Sequence, residues 1–255
     1  MNEMAESTFY NLIDNLERYL EYQRDEGVPR LEVDRAVLVE LAKRPEAEPV
    51  MAAEAPVTAA LPIPENFQSL EEIAAHISTC RNCPLCEGRT NTVPGEGNSD
   101  SPDIMFIGEG PGADEDAQGR PFVGKAGQLL TKMIEAMGYQ REEVFIANIV
   151  KCRPPNNRAP LPEEMEACLP YLRQQIRVIN PKVVVGMGAT AIKGLLGKTA
   201  GITRLRGTWQ EYEGIKLMPT FHPSYLLRDP SKKKDVWQDL QQVLKELGKE
   251  PPERK

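Results

Sequence analysis

The chain of 255 residues carries 31 basic and 38 acidic side chains, a formal charge of -7 at neutral pH, and 40% hydrophobic residues. That length admits one sizeable α/β domain with something to spare. The acidic balance argues against indiscriminate nucleic-acid binding while leaving room for a local basic face, and no apolar stretch is long enough to span a bilayer, so no membrane partner is expected.

Residues 8–23 place Phe9, Leu12, Ile13, Leu16 and Leu20 at helical spacing, and a second short helix is expected over 31–43. Together they form a helical N-terminal extension, residues 1–43. Its opening, MNEMAESTFYNLIDNLERYLEYQ, is charged and helical in period, unlike an apolar leader, so the chain is expected in a reducing cytoplasm. The stretch RPEAEPVMAAEAPVTAALPIPEN, residues 44–66, is rich in Ala, Pro and Glu, lacks a periodic apolar face, and reads as a semi-extended linker. A folded domain is expected over 67–250.

That domain opens on CRNCPLC, with Cys80, Cys83 and Cys86; the remaining two of the five cysteines are Cys152 and Cys168. In a reducing compartment disulfides are the poorer reading. A C-x2-C pair plus two later cysteines suits zinc or an iron-sulfur cluster. Zinc ribbons usually pair two C-x2-C knuckles, which Cys152 and Cys168 do not form, so the spacing favours a [4Fe-4S] cluster. Five thiols for four ligand sites leave one spare, and spacing does not say which. His76, at an apolar helical spacing in LEEIAAHIS, reads as a packing residue.

From residue 103 strands and helices alternate. DIMFIG is a short apolar strand followed by a glycine turn and a loop; AGQLLTKMIEAMG is helical and ends at Gly138. EEVFIANIVKC is a strand running into a proline-rich loop, and a helix follows from Pro162 to Ile179. NPKVVVGMG is a third strand with ATAIKGLLG as its helix. A hairpin is expected over 207–215, then KLMPTFHP as the fourth strand and KKDVWQDLQQVLKELG as a closing amphipathic helix. This alternation implies a mainly parallel sheet covered on both faces, with any ligand at the carboxyl ends of the strands. The unusual residues collect at those ends: GEGPGADED, Asn148, Gly186 to Gly188, and His222.

GEGPGA and GMGATA both fit a dinucleotide-binding pattern, weakly. In the first, Pro111 removes a backbone donor and Asp114, Glu115 and Asp116 would repel a pyrophosphate. In the second, Arg204 and Arg206 stand where an acid is expected. Glycines that admit a ligand to the backbone, with carboxylates beyond them, suit a site where positive charge develops on the ligand.

The segments CRNCPLCEGRT, GEGPGADEDAQGRPFVGKAGQLL, ANIVKCRPPNNR and FHPSYLLR, in this order and at compatible spacing, closely resemble the iron-sulfur uracil-DNA glycosylases of family 4. The resemblance covers residues 78 to 247. It implies a three-layer α/β/α sandwich with a four-stranded parallel sheet, and a domain over 67–250 that hydrolyses the bond between uracil and deoxyribose in single- or double-stranded DNA. It also implies that Cys80, Cys83, Cys152 and Cys168 hold a [4Fe-4S] cluster, with Cys86 left over.

Residue roles follow from the same likeness and from the chemistry. Phe122 is similar to the family residue that stacks on the flipped base, where stacking offsets part of the cost of leaving the duplex. Asn148 can donate to uracil O4 and accept from N3-H, a pattern cytosine reverses. Backbone groups of Glu109 and Gly110 resemble the contacts to the uracil carbonyls. His222 fits a hydrogen-bond donor beside O2, where negative charge builds as the bond breaks. Glu115 matches the carboxylate that positions the attacking water and faces the cationic sugar. Leu226 resembles the wedge that fills the gap left by the flipped base, and Arg228 is placed to meet a phosphate.

At Gly110 the better-known uracil glycosylases carry an aspartate or asparagine. Its missing side chain is expected to leave space that hypoxanthine or xanthine could enter. A covalent-bond-forming branch of the superfamily uses a histidine in a basic loop; ITRLRGTWQ has none. The expected protein is a monomeric, monofunctional glycosylase that starts base excision repair, with residues 1–43 available to a protein partner. The competing reading is a non-catalytic iron-sulfur DNA-binding accessory, which would need neither Asn148 nor His222.

Overall fold

A computed structural model describes residues 62–197 and 201–252. The helices expected over 8–23 and 31–43, and most of the 44–66 linker, lie outside the described residues. Phe67 is buried, and Ile63, inside the stretch read as linker, packs against the core.

The first helix, α1 (Leu70–Thr79), forms because Ser69 caps it, its hydroxyl accepting from the Glu72 N–H at 3.2 Å, and because Ile73 and Ile77 share one buried face. A single turn, α2 (Leu85–Gly88), carries Cys86. Then come β1 (Glu96–Gly97), β2 (Ile104–Gly108), α3 (Ala113–Gln118), α4 (Lys125–Ala136), β3 (Phe145–Asn148) and α5 (Pro162–Ile179). The chain continues through β4 (Val183–Met187), α6 (Ala189–Leu196), α7 (Ile202–Leu205), β5 (Gln210–Tyr212), β6 (Ile215–Thr220), α8 (Pro223–Arg228) and α9 (Lys233–Glu246).

One six-stranded sheet runs in the order β1-β3-β2-β4-β6-β5. Its inner four strands, β3, β2, β4 and β6, are parallel as expected, and the two short edge strands pair antiparallel. Every residue of β2, β3 and β4 is buried, which requires cover on both faces of the sheet. α6 packs on β2 and β4 and against α5, while α9 lies on β6.

Two elements depart from the sequence expectation. β1 has only two residues and no pattern to betray it; it exists because its partner Phe145–Ile146 offers an open edge. The acids after GEGPG form the short helix α3 where a loop was expected. Glu115 reaches back to accept from the Gly112 N–H at 3.1 Å and closes that helix's first turn.

β2 sits between β3 and β4, so the chain leaves its carboxyl end in one direction and returns on the other side. That reversal opens a crevice above β2, β3 and β4.

Candidate active site

The crevice is a cleft of about 670 Å³ lined by residues from every loop that follows an inner strand. Glu109, Gly110, Asp114 and Glu115 come from the β2 end, and Asn148 from the last position of β3. Met187 ends β4 and Gly188 follows it, and His222, Ser224 and Arg228 come from the segment after β6.

Asn148 is 1% exposed, and its Oδ1 is a buried side-chain oxygen without a hydrogen-bond partner among the described residues. An unmet buried acceptor costs roughly 1–3 kcal/mol. Directly beside it in the sheet is Gly108, where a Cβ would lie 2.6 Å from Asn148 Oδ1 and 2.5 Å from Phe122 Cζ. The first glycine of GEGPG therefore makes room for two side chains of the site.

Phe122 is buried and has a φ of 52°, a left-handed conformation that costs a bulky residue about 1–3 kcal/mol. Its loop is clamped on both sides. Arg141, paired with Glu96, donates to the Pro121 carbonyl at 2.6 Å, and the Val123 and Gly124 N–H groups both donate to Glu115 Oε1 at 2.9 Å. The Phe122 and His222 rings stand 5.5 Å apart, centroid to centroid, tilted by 35°.

His222 caps α8: its Nδ1 accepts from the Ser224 N–H at 3.2 Å. With Nδ1 the acceptor, the proton of the neutral ring sits on Nε2. Burial, with the Arg228 charge adding to it, lowers the His222 pKa to about 4, so the ring is neutral in ordinary buffers.

The three acids of α3 have different surroundings. Asp116 is 3% exposed and its Oδ1 accepts from the Thr90 and Asn91 N–H groups, which makes it the fastening of that loop. Glu115 lines the cleft but spends both oxygens on the backbone N–H groups of Gly112, Val123 and Gly124. Asp114 also lines the cleft.

Two expectations are corrected. Leu226 is 0% exposed, turned into the core by the helical geometry of α8, so it cannot act as a wedge; its neighbour Leu227 is 46% exposed, the large apolar side chain that stands out among the described residues. The space at Gly110 is also taken: a Cβ there would lie 2.7 Å from Val150 Cγ2. A side chain at Gly110 would therefore point at Val150.

Residues that went unremarked in the sequence also line the cleft. Asn156 and Asn157, with φ of 54° and 55°, carry the chain over it, and Lys125 stands exposed at its edge. Consecutive asparagines after a proline pair are a signal for such left-handed turns. Arg158 is anchored by the buried Glu164 at 2.6 Å.

The five thiols line one small cavity below β3, with Arg89, Lys151 and Tyr171. They surround it without converging on a point: among the described residues no group of three or more His, Cys, Asp or Glu side chains is compact enough for a single ion. Two of the thiols accept hydrogen bonds: the Arg89 guanidinium donates to Cys152 at 3.2 Å, and the Lys151 N–H donates to Cys168 at 3.3 Å. Cys80, Cys83 and Cys86 line the same cavity. Burial pushes the Cys83 thiol up to about 11 and Cys168 up to about 12, so these sulfurs become thiolates only beside a strong positive charge.

Thiols are the ligands that either a zinc ion or an iron-sulfur cluster takes. Lys151 is fully buried and joins the two sites: its Nζ donates to the Asn148 carbonyl at 2.8 Å and to Gln175 Oε1 at 2.6 Å.

The model of the uracil DNA glycosylase superfamily matches residues 94–241. A type-4 uracil-DNA glycosylase of Thermotoga maritima is 49% identical over 185 residues, 71% of this chain and 96% of that protein. The type-4 enzymes of Sulfurisphaera tokodaii and Archaeoglobus fulgidus are 45% and 40% identical, over 69% and 73% of this chain and 84% and 97% of theirs.

Proposed function

The chain belongs to the uracil DNA glycosylase superfamily, among its type-4 enzymes, and from that premise we propose how this cleft releases uracil from DNA. The protein hydrolyses the N-glycosidic bond of a deoxyuridine flipped out of DNA. The product is an abasic site, the opening step of base excision repair.

The flipped base stacks on Phe122. Asn148 Oδ1 accepts from uracil N3-H and its amide nitrogen donates to O4; cytosine, with an acceptor at N3 and a donor at N4, leaves both groups mismatched. Across the cleft the neutral His222 ring offers its Nε2-H to O2, where the electron pair from the broken bond is delocalised. Because Nδ1 is committed to Ser224, the ring stabilises the uracil anion by a hydrogen bond and need not transfer a full proton. Backbone groups at Glu109 and Gly110 complete the base's surroundings. Leu227 fills the space that the base vacates, while Arg228 and Lys125 meet the phosphates.

The observation that carries this reading is the unpartnered Oδ1 of Asn148, a buried acceptor whose cost a uracil imide repays. A non-catalytic accessory would have no use for it. The test is release of uracil from single- and double-stranded oligonucleotides by the wild type and by Asn148→Ala. The wild type should cut at the uracil after alkali, and the variant should lose about 100-fold in kcat/KM. An undiminished variant would overturn the assignment.

We assign a [4Fe-4S] cluster to Cys80, Cys83, Cys152 and Cys168, the ligand set that the family likeness implies, supported by the Arg89 and Lys151 donors that meet Cys152 and Cys168. Bound there, the cluster supplies a structural tie between the 80–83 turn, the end of β3 and α5; the hydrolysis itself moves no electrons between redox centres. We further propose a monomer acting in the cytoplasm, with residues 1–43 serving a protein partner. Thiols kept for metal rather than for disulfides support the compartment.

A further inference from the structure

Hydrolysis needs a carboxylate with lone pairs to spare, facing both a water molecule and the sugar as positive charge builds on it. The sequence offers three in a row, and their bonding separates them. Asp116 is buried and holds the Thr90 and Asn91 N–H groups. Glu115 accepts from three backbone N–H groups, at 2.9, 2.9 and 3.1 Å, which draw its negative charge into the 112–124 backbone. Those bonds also hold Phe122 in its strained conformation, so moving the Glu115 carboxylate onto water would release the base platform.

Asp114 differs from both. It lines the cleft, it is exposed, and no hydrogen bond or ion pair engages its carboxylate among the described residues. Gly124 makes room for it: a Cβ there would lie 2.7 Å from Asp114 Oδ2. A carboxylate at the wall of the cleft with no donor committed to it keeps all its acceptor capacity.

We propose that Asp114 is the catalytic carboxylate of this enzyme and that Glu115 is a positioning residue. The inference rests on the uracil-DNA glycosylase reading above. As the C1′–N1 bond breaks, its electron pair leaves on uracil, and the sugar becomes an oxocarbenium ion that the Asp114 charge stabilises. A water held by Asp114 attacks C1′ through its oxygen. Its proton passes to the Asp114 carboxylate and from there to solvent, leaving a hydroxyl on the abasic sugar.

The test compares the wild type with Asp114→Asn, Asp114→Glu, Asp114→Ala and Glu115→Gln. Three quantities are measured: the single-turnover rate of uracil release, affinity for a duplex carrying non-hydrolysable 2′-fluoro-2′-deoxyuridine, and the thermal midpoint. Asp114→Asn and Asp114→Ala should lose about 100-fold or more in rate, with affinity and midpoint unchanged. Asp114→Glu should regain part of that rate. Glu115→Gln should lower the midpoint and the affinity, because it weakens the clamp on the Phe122 loop. The proposal is overturned if Asp114→Asn and Asp114→Ala keep the wild-type rate, or if Glu115→Gln loses its rate with midpoint and affinity intact. A wild type that releases no uracil would instead sink the glycosylase reading itself.

Discussion

Phe122 keeps its left-handed backbone because Gly127, two residues into α4, has no side chain: a Cβ there would lie 1.8 Å from the Phe122 carbonyl oxygen. The stacking residue and the start of the next helix are thus packed backbone to backbone. The strain at Phe122 is offset by the hydrogen bonds on either side of it.

Gly127→Ala should therefore act on Phe122 before it acts on the helix. Alanine favours the helix by about 1 kcal/mol, but the collision is with backbone, which cannot swing aside, and overpacking of this kind costs about 1–3 kcal/mol. The expected variant has a lowered thermal midpoint and a sharply reduced affinity for 2′-fluoro-2′-deoxyuridine DNA. Full affinity would show that Phe122 does not need its present conformation.

Leu226 and Leu227 should separate cleanly. Leu227→Ala should slow uracil release from duplex DNA while sparing single-stranded substrate, since only the duplex has a gap to fill. Leu226→Ala removes a fully buried side chain and should cost about 2–5 kcal/mol of stability, read as a fall in thermal midpoint. Equal loss of Leu227→Ala activity on both substrates would refute the wedge.

The pH profile tests His222. Its folded pKa of about 4 lies below the ordinary 6.5, so the ring stays neutral as pH falls through the usual histidine range. Uracil release should be flat through pH 6.5 and decline only toward 4. The same shift has a sign for stability. The unfolded ring takes up a proton first, so the stability held above 6.5 is lost progressively as pH falls toward 4. A rate that halves near 6.5 would mean the ring is not shielded.

Cys86 provides the test of the metal centre. Cys86→Ser should purify brown, with the visible absorbance and thermal midpoint of the wild type, whereas Cys168→Ser should be pale and unstable. Iron chelation should lower the midpoint of the wild type and of Cys86→Ser alike. A colourless Cys86→Ser would move the ligand set.

Much of the scaffold was legible because apolar runs and helical periods are local signals. The inner parallel strands, α5 from Pro162 to Ile179 and α6 ending before Gly197 all lie where the pattern put them. What escaped depends on contacts between distant residues. β1 exists only through its neighbour Phe145, and α3 is closed by a side chain three residues along. Leu226 and Leu227 are chemically identical, so only the facing of α8 assigns one to the core. The residue types at Asn148 and His222 pointed to the site, but no sequence pattern says that Glu115 spends its lone pairs on backbone and Asp114 does not. Nor could the absence of a side chain at Gly110 reveal that one there would point at Val150.

Lys151 carries one more implication. Through its backbone it holds Cys168, and through its ammonium it holds the carbonyl of the residue that reads the base. Any movement of Cys168 is therefore passed through a single buried amino acid to the backbone of the residue that faces the cleft from the end of β3.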